Sequence, residues 1–209
     1  MPLFYQQDIN ESTRMAVWKI AEPEAFFLSA VPLRRDITHP HKRLQHLAGR
    51  YLLRFLFPDF PNEEIAIADT RKPFLPDEQY HFSISHCGDF AAAIVSADHR
   101  VGVDIEILTP RVEKIKHKFL HPDERMFVEE IAHEQQVPLL TLLWSCKEAV
   151  FKWYGSGEVD FKQHMQVQNV QTLDDKLFQT TICFKKNEDQ LLDLHSRLFD
   201  NLCLSYLVT

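Results

Sequence analysis

The sequence predicts an α+β fold made of two similar halves in tandem, joined near residue 100. Three observations carry that expectation. Helical spacing over 41–57 is followed by strand-like segments at 81–86, 90–96 and 101–108, and the same succession then begins again. His39-Pro40 followed by Arg43 is echoed by His121-Pro122 followed by Arg125, each ahead of a helical stretch. The chain has 209 residues, 45% hydrophobic and 25% charged, which suffices for one large core or two small ones. The expected domains are residues 1–100 and 101–209, and a cleft between tandem halves is a common place for a ligand.

Taken in order, Leu44, Leu47, Tyr51 and Phe55 give 41–57 its helical face, and Pro58 ends it. Residues 58–79 are loop-rich, with Pro58, Pro61, Pro73 and Pro76. Residues 81–86 alternate as a strand, Cys87-Gly88-Asp89 turns the chain, and Phe90 to Ser96 returns as a second strand. Asp98-His99-Arg100 turns into a third strand, Val101 to Leu108. After Pro110 two helices are expected, over 112–135 and 138–154, the second opening at Pro138 and closing at Gly155 and Gly157. The tail predicts strands at 166–172, 178–184 and 202–208, with a helix near 187–194.

Charge and cysteine usage narrow the function classes. There are 23 Lys and Arg against 30 Asp and Glu, a net charge of −7. Bulk binding of nucleic acid is thereby excluded, because affinity for a phosphate backbone needs accumulated positive charge. The basic residues nonetheless gather locally. Arg34, Arg35, Lys42, Arg43, Arg50 and Arg54 fall in one segment; Arg111, Lys114, Lys116, His117 and Lys118 fall in another. Each such cluster on an acidic chain is either a local anion site or a solvated helix face. No apolar run is long enough to span a membrane, and Met1 to Asn10 has no signal-like pattern. Cys87, Cys146, Cys183 and Cys203 are scattered without a CxxC pair, as reduced thiols of a cytoplasmic protein are.

Chemistry concentrates in three places. Along Val101-Gly102-Val103-Asp104-Ile105-Glu106-Ile107 side chains alternate, so Val101, Val103, Ile105 and Ile107 share one face while Asp104 and Glu106 share the other with Gly102. Two carboxylates on one face repel unless a cation, protons or water intervene: either hard oxygen donors for Mg²⁺ with substrate phosphates, or a simply wet face of ordinary surface acids. In 138–154, Leu139, Leu142, Cys146, Ala149, Val150 and Trp153 form an apolar stripe, and Thr141, Ser145, Glu148 and Lys152 a polar one. Glu148 and Lys152 are neighbours one turn apart: either a surface ion pair, or a metal ligand or general base beside a phosphate-neutralising cation. Third, Ser85 and His86 end a strand at Cys87-Gly88, after Lys72-Pro73 in the preceding loop; both can donate to a phosphate. Other motifs are absent. Position 137 is Val, so His133-Glu134 opens no zinc-protease motif, and there is no GxSxG elbow, Walker A loop or GxGxxG.

In combination these blocks resemble the 4'-phosphopantetheinyl transferases. Val101-Gly102-Val103-Asp104 and, some forty residues on, Trp144-Ser145-Cys146-Lys147-Glu148-Ala149-Val150-Phe151-Lys152 are similar to that family's signature. Ser83-Ile84-Ser85-His86-Cys87-Gly88, Lys72-Pro73 and His46-Leu47-Ala48-Gly49-Arg50 resemble the larger, Sfp-type branch. The resemblance covers residues 42–152. It implies a pseudo-dimer with the active site at the interface of the halves, and transfer of the phosphopantetheine arm of coenzyme A to a serine of an acyl or peptidyl carrier protein. It implies Asp104, Glu106 and Glu148 as ligands of Mg²⁺, with Mn²⁺ as an alternative ion. Glu148 would be the base, Lys152 and His86 would contact phosphates, and Ser85 and Lys72 would bind coenzyme A. Arg43 and Arg50, with Arg54 as a third, compete for the nucleotide end. A cytoplasmic monomer is expected. The alternatives are a non-catalytic homologue that binds coenzyme A or a carrier, and a metal-dependent phosphohydrolase.

Overall fold

A computed structural model describes residues 2–34 and 36–209; Met1 and Arg35, the latter counted above in the first basic cluster, lie outside the described residues. The chain divides into two compact units, residues 1–103 with Thr209, and residues 104–208. The division falls within one strand.

The first unit opens with two strands absent from the sequence expectation, β1 (Leu3–Asp8) and β2 (Thr13–Lys19), and a short helix, α1 (Glu24–Leu28). Then come the long helix α2 (Pro40–Leu56), a small ribbon of β3 (Ala66–Ile67) and β4 (Pro73–Phe74), and the hairpin β5 (His81–Cys87) and β6 (Phe90–Ser96). The main sheet runs β1-β2-β6-β5, with antiparallel neighbours. Every residue of β6 is buried, and its run Ala91-Ala92-Ala93 gives the sheet a low surface. Helix α2 lies on that surface through Leu47, Ala48, Leu52 and Leu53. Gly49 permits the close approach: a Cβ there would stand 2.6 Å from Ile84 Cγ2 of β5.

The strand β7 (Val101–Ile107) carries the chain into the second unit. It is followed by α3 (Arg111–Phe119), α4 (Pro122–Glu130), α5 (His133–Tyr154), β8 (Met165–Asp174), β9 (Leu177–Phe184), β10 (Gln190–Leu198) and β11 (Leu202–Val208). The sheet order is β7-β11-β10-β9-β8. Helix α5 packs on β11 and β10, joining Leu142, Cys146, Ala149, Val150 and Trp153 to Leu192, Leu194 and Leu207 in one core. Gly155 ends α5 with φ 74°, a left-handed conformation that glycine adopts without steric cost.

Three expectations need correction. The helix expected over 112–135 is two helices, because Leu120 is extended and Pro122 cannot continue a helix. Helix α5 starts at His133 rather than Pro138; the proline lies inside it as the sixth residue, where it has no N–H to donate to the preceding turn. The helix expected near 187–194 is the strand β10, in which Leu192, Leu194 and Ser196 alternate inward.

The His-Pro echo has a local physical basis in each unit. His39 caps α2 and His121 caps α4, each ring nitrogen accepting a backbone N–H at 3.4 Å, from Lys42 and Asp123 respectively. In both, proline takes an early helical position where no N–H is needed. Among the described residues no helix is long and apolar enough to cross a membrane.

Candidate functional site

In the second unit β7 and α5 bring four of the expected residues together. Asp104 is buried in β7 and Glu106 is half-buried two residues on, so their shared face is not simply wet. Glu148 and Lys152 stand one turn apart on α5. The Lys152 ammonium donates to Asp104 Oδ1 at 2.5 Å, and the Trp144 indole N–H donates to Glu106 Oε1 at 3.0 Å. Glu148 feels both acids. Burial, and then the negative charges of Asp104 and Glu106 against the opposing pull of Lys152, push its carboxyl up to about 7.

The donor set suits a hard divalent cation in kind: three carboxylates, of which Glu148 is pushed up first by burial and then by Asp104 and Glu106. Its arrangement is open rather than closed. Among the described residues no three His, Cys, Asp or Glu side chains form a ready metal cluster. Lys152 donates to Asp104 Oδ1 and Trp144 to Glu106 Oε1. Mg²⁺ normally keeps several waters and binds one or two carboxylates with substrate phosphates, so a partial cage is compatible with it.

The first unit holds a cationic cavity of about 440 Å³, its polar wall including Arg34, His46, Arg50, Asn62, Arg71 and His86. Arg50 Nη1 is buried there without a hydrogen-bond partner, and desolvation lowers the guanidinium pKa to about 10. Such a group gains from an anion. The other two arginines are engaged elsewhere. Arg43 pairs with Glu24 at 2.9 Å, and Arg54 reaches Glu63 at 3.6 Å and the Ala30 carbonyl at 3.2 Å. Lys72 is drawn down to about 8, first by burial and then by the nearby charge of Arg100. On β5, Ser85 is buried while His86 is exposed at the cavity, as strand alternation requires.

Sequence reasoning missed two participants. Trp144 lay in the motif without a role; it holds Glu106. Lys147 is fully buried, its ammonium on both oxygens of Glu124 at 2.9 and 2.6 Å. A signal existed: Lys147 follows Leu143 by four and precedes Val150 by three, which sets it on the apolar side of α5.

Comparison with known proteins decides the family. The sequence model of the 4'-phosphopantetheinyl transferase superfamily matches residues 100–206, from the start of β7 into β11. The chain belongs to this superfamily. The matched stretch contains Asp104, Glu106, Glu148 and Lys152. Among curated superfamily members, the 4'-phosphopantetheinyl transferase gsp of Aneurinibacillus migulanus is 34% identical over 113 residues, 53% of this chain and 46% of its own length. The 4'-phosphopantetheinyl transferase AcpT of Escherichia coli K12 is 30% identical over 148 residues, 68% of this chain and 75% of its own. Enterobactin synthase component D of Salmonella austin is 35% identical over 113 residues, 53% and 47% respectively. The chain thus spans about half the length of two of these superfamily relatives and three quarters of the third.

Proposed function

We propose that this chain transfers the 4'-phosphopantetheine arm of coenzyme A to a serine of an acyl or peptidyl carrier protein, releasing 3',5'-ADP. Asp104, Glu106 and Glu148 would hold Mg²⁺. The observation that carries the proposal is the acid group of the second unit: half-buried Glu148, pushed up to about 7 beside buried Asp104 and half-buried Glu106, with the Lys152 ammonium at hand.

In the reaction the serine Oγ forms a bond to the phosphorus that carries the pantetheine arm, and the bond from that phosphorus to the bridging oxygen of the nucleotide breaks. A bound Mg²⁺ supplies electrostatic stabilisation for charge developing on the diphosphate. Glu148 takes the serine proton, directly or through a water. Asp104 and Glu106 supply fixed negative charge, and Trp144 fixes the direction of Glu106. Lys152 neutralises phosphate oxygens. Arg50 and His86 hold the nucleotide end at the cavity of the first unit, Arg50 being favoured over Arg43 by its place on that wall, while Lys72 and Ser85, the latter on the opposite face of β5, bind another part of coenzyme A. Exposed Arg111, Lys114 and Lys118 on α3 offer an acidic carrier a basic face. The tandem pseudo-dimer and a cytoplasmic monomer belong to the same reading.

Chromatography of the nucleotide products tests it. Coenzyme A, Mg²⁺ and the chain should yield 3',5'-ADP only when an apo-carrier is added. Equal release without a carrier would make the chain a phosphohydrolase, and no release with any carrier would make it a binding homologue.

A further inference from the structure

The Lys147–Glu124 pair is the most deeply buried charge pair among the described ion pairs, with side-chain exposures of 0% and 7%. Its connections reach well beyond the two residues. Lys147 Nζ also donates to the carbonyl oxygens of Phe119 at 2.8 Å and Phe161 at 3.3 Å. Glu124 accepts, besides Lys147, the backbone N–H of His121 at 2.8 Å and of Val167 at 2.7 Å. One ion pair therefore ties α5 to the end of α3, the cap of α4, the loop at 161 and the start of β8.

The two carbonyls lead back to the acid group. Rings of Phe119 and Phe161 flank Trp144, with centroids at 5.1 and 5.5 Å. Trp144 in turn donates to Glu106. On the other side, Lys147 immediately precedes Glu148 on α5. A buried ion pair is weak grounds for stability, because desolvation of both charges offsets their attraction. Its geometric demands are strict, however, since the three N–H groups of one ammonium are shared among four acceptor oxygens.

We propose that Lys147 and Glu124 are positioning residues: by pinning Phe119 and Phe161 about Trp144 and fixing α5 at Glu148, they aim two of the three carboxylates. This rests on the transferase reading above. It predicts an effect on turnover separable from folding, because a misplacement of about 1 Å at a reacting group can cost on the order of 100-fold.

The test compares wild type, K147M and the double variant K147M/E124Q. K147M alone leaves a buried carboxylate unpaired and should lower the melting temperature. In K147M/E124Q no buried charge remains at this pair, and the Gln amide oxygen still accepts from His121 or Val167. That variant should recover most of the melting temperature yet keep a kcat at least about tenfold below wild type, with the KM for coenzyme A within about threefold. A second readout needs no activity. The ¹⁹F resonance of 5-fluorotryptophan at position 144, assigned by its loss in W144F, should shift in the double variant. Wild-type kcat in the double variant, or an unmoved Trp144 resonance, would overturn the inference and leave the transferase reading intact. A wild-type chain that transfers nothing to any carrier would overturn both.

Discussion

Lys152 Nζ lies 2.5 Å from Asp104 Oδ1, so a lysine occupies one side of the carboxylate that heads the acid group. Asp104 is 3% exposed and Lys152 26%, so the pair is shielded unevenly. Removing the lysine leaves Asp104 with a poorly solvated charge. K152M should cost about 1–3 kcal/mol without metal, less than a fully buried pair would. Mg²⁺ should then raise the melting temperature of K152M more than that of wild type, because the ion takes over a partner that Asp104 has lost. Thermal melts with and without saturating Mg²⁺ check this, and equal shifts would count against it.

Glu148 sets a pH dependence whose sign is fixed. Its carboxyl rises from the ordinary 4.5 to about 7, first through burial and then through Asp104, with Glu106 adding to it and Lys152 opposing. The folded chain therefore holds this proton more tightly than the unfolded chain. The stabilisation is complete below about pH 4.5 and is lost as pH rises through about 7, a change of about 3 kcal/mol. E148Q should gain stability relative to wild type across that window, and saturating Mg²⁺ should shrink the gap. Urea titrations at several pH values measure it; parallel curves for the two proteins would contradict it.

Arg50 exchanges stability for binding. Its Nη1 is buried without a partner, so R50M should leave the melting temperature unchanged or raise it. The same change should raise the KM for coenzyme A at least about tenfold. It should also abolish the preference for coenzyme A over its 3'-dephospho form. R43M, which breaks the pair with Glu24, should keep that preference. Steady-state kinetics with both substrates separates the two arginines.

Gly49 is a packing requirement. A methyl group there meets Ile84 Cγ2 at 2.6 Å, so G49A should destabilise by about 1–3 kcal/mol. G49A/I84A should be less destabilised than the sum of its single changes, because trimming Ile84 removes the colliding carbon. Denaturant unfolding of the four proteins completes the cycle.

Much of this was legible in the sequence, and what was not has identifiable causes. The strands β5, β6 and β7 showed because turns punctuate them and their apolar residues alternate or run unbroken. Helix α5 showed through its stripe, although Pro138 drew the expected start inward from His133. The β10 segment Gln190-Leu191-Leu192-Asp193-Leu194 has helical composition, and only pairing between β9 and β11 makes Leu191 exposed and Leu192 buried. Asp104 and Glu148 were grouped by motif, yet the partners Lys152 and Trp144 required coordinates. Lys147 was hidden because a lysine in a helix ordinarily faces water, and its partner Glu124 lies on another helix.

The most direct measurement is the intact mass of an apo-carrier after incubation with coenzyme A, Mg²⁺ and either wild type or E148Q. The account predicts a gain of one phosphopantetheine arm with wild type, lost on adding chelator, and none with a folded E148Q over the same interval. An unmodified carrier with wild type across acyl and peptidyl carriers, or full modification by E148Q, would contradict it.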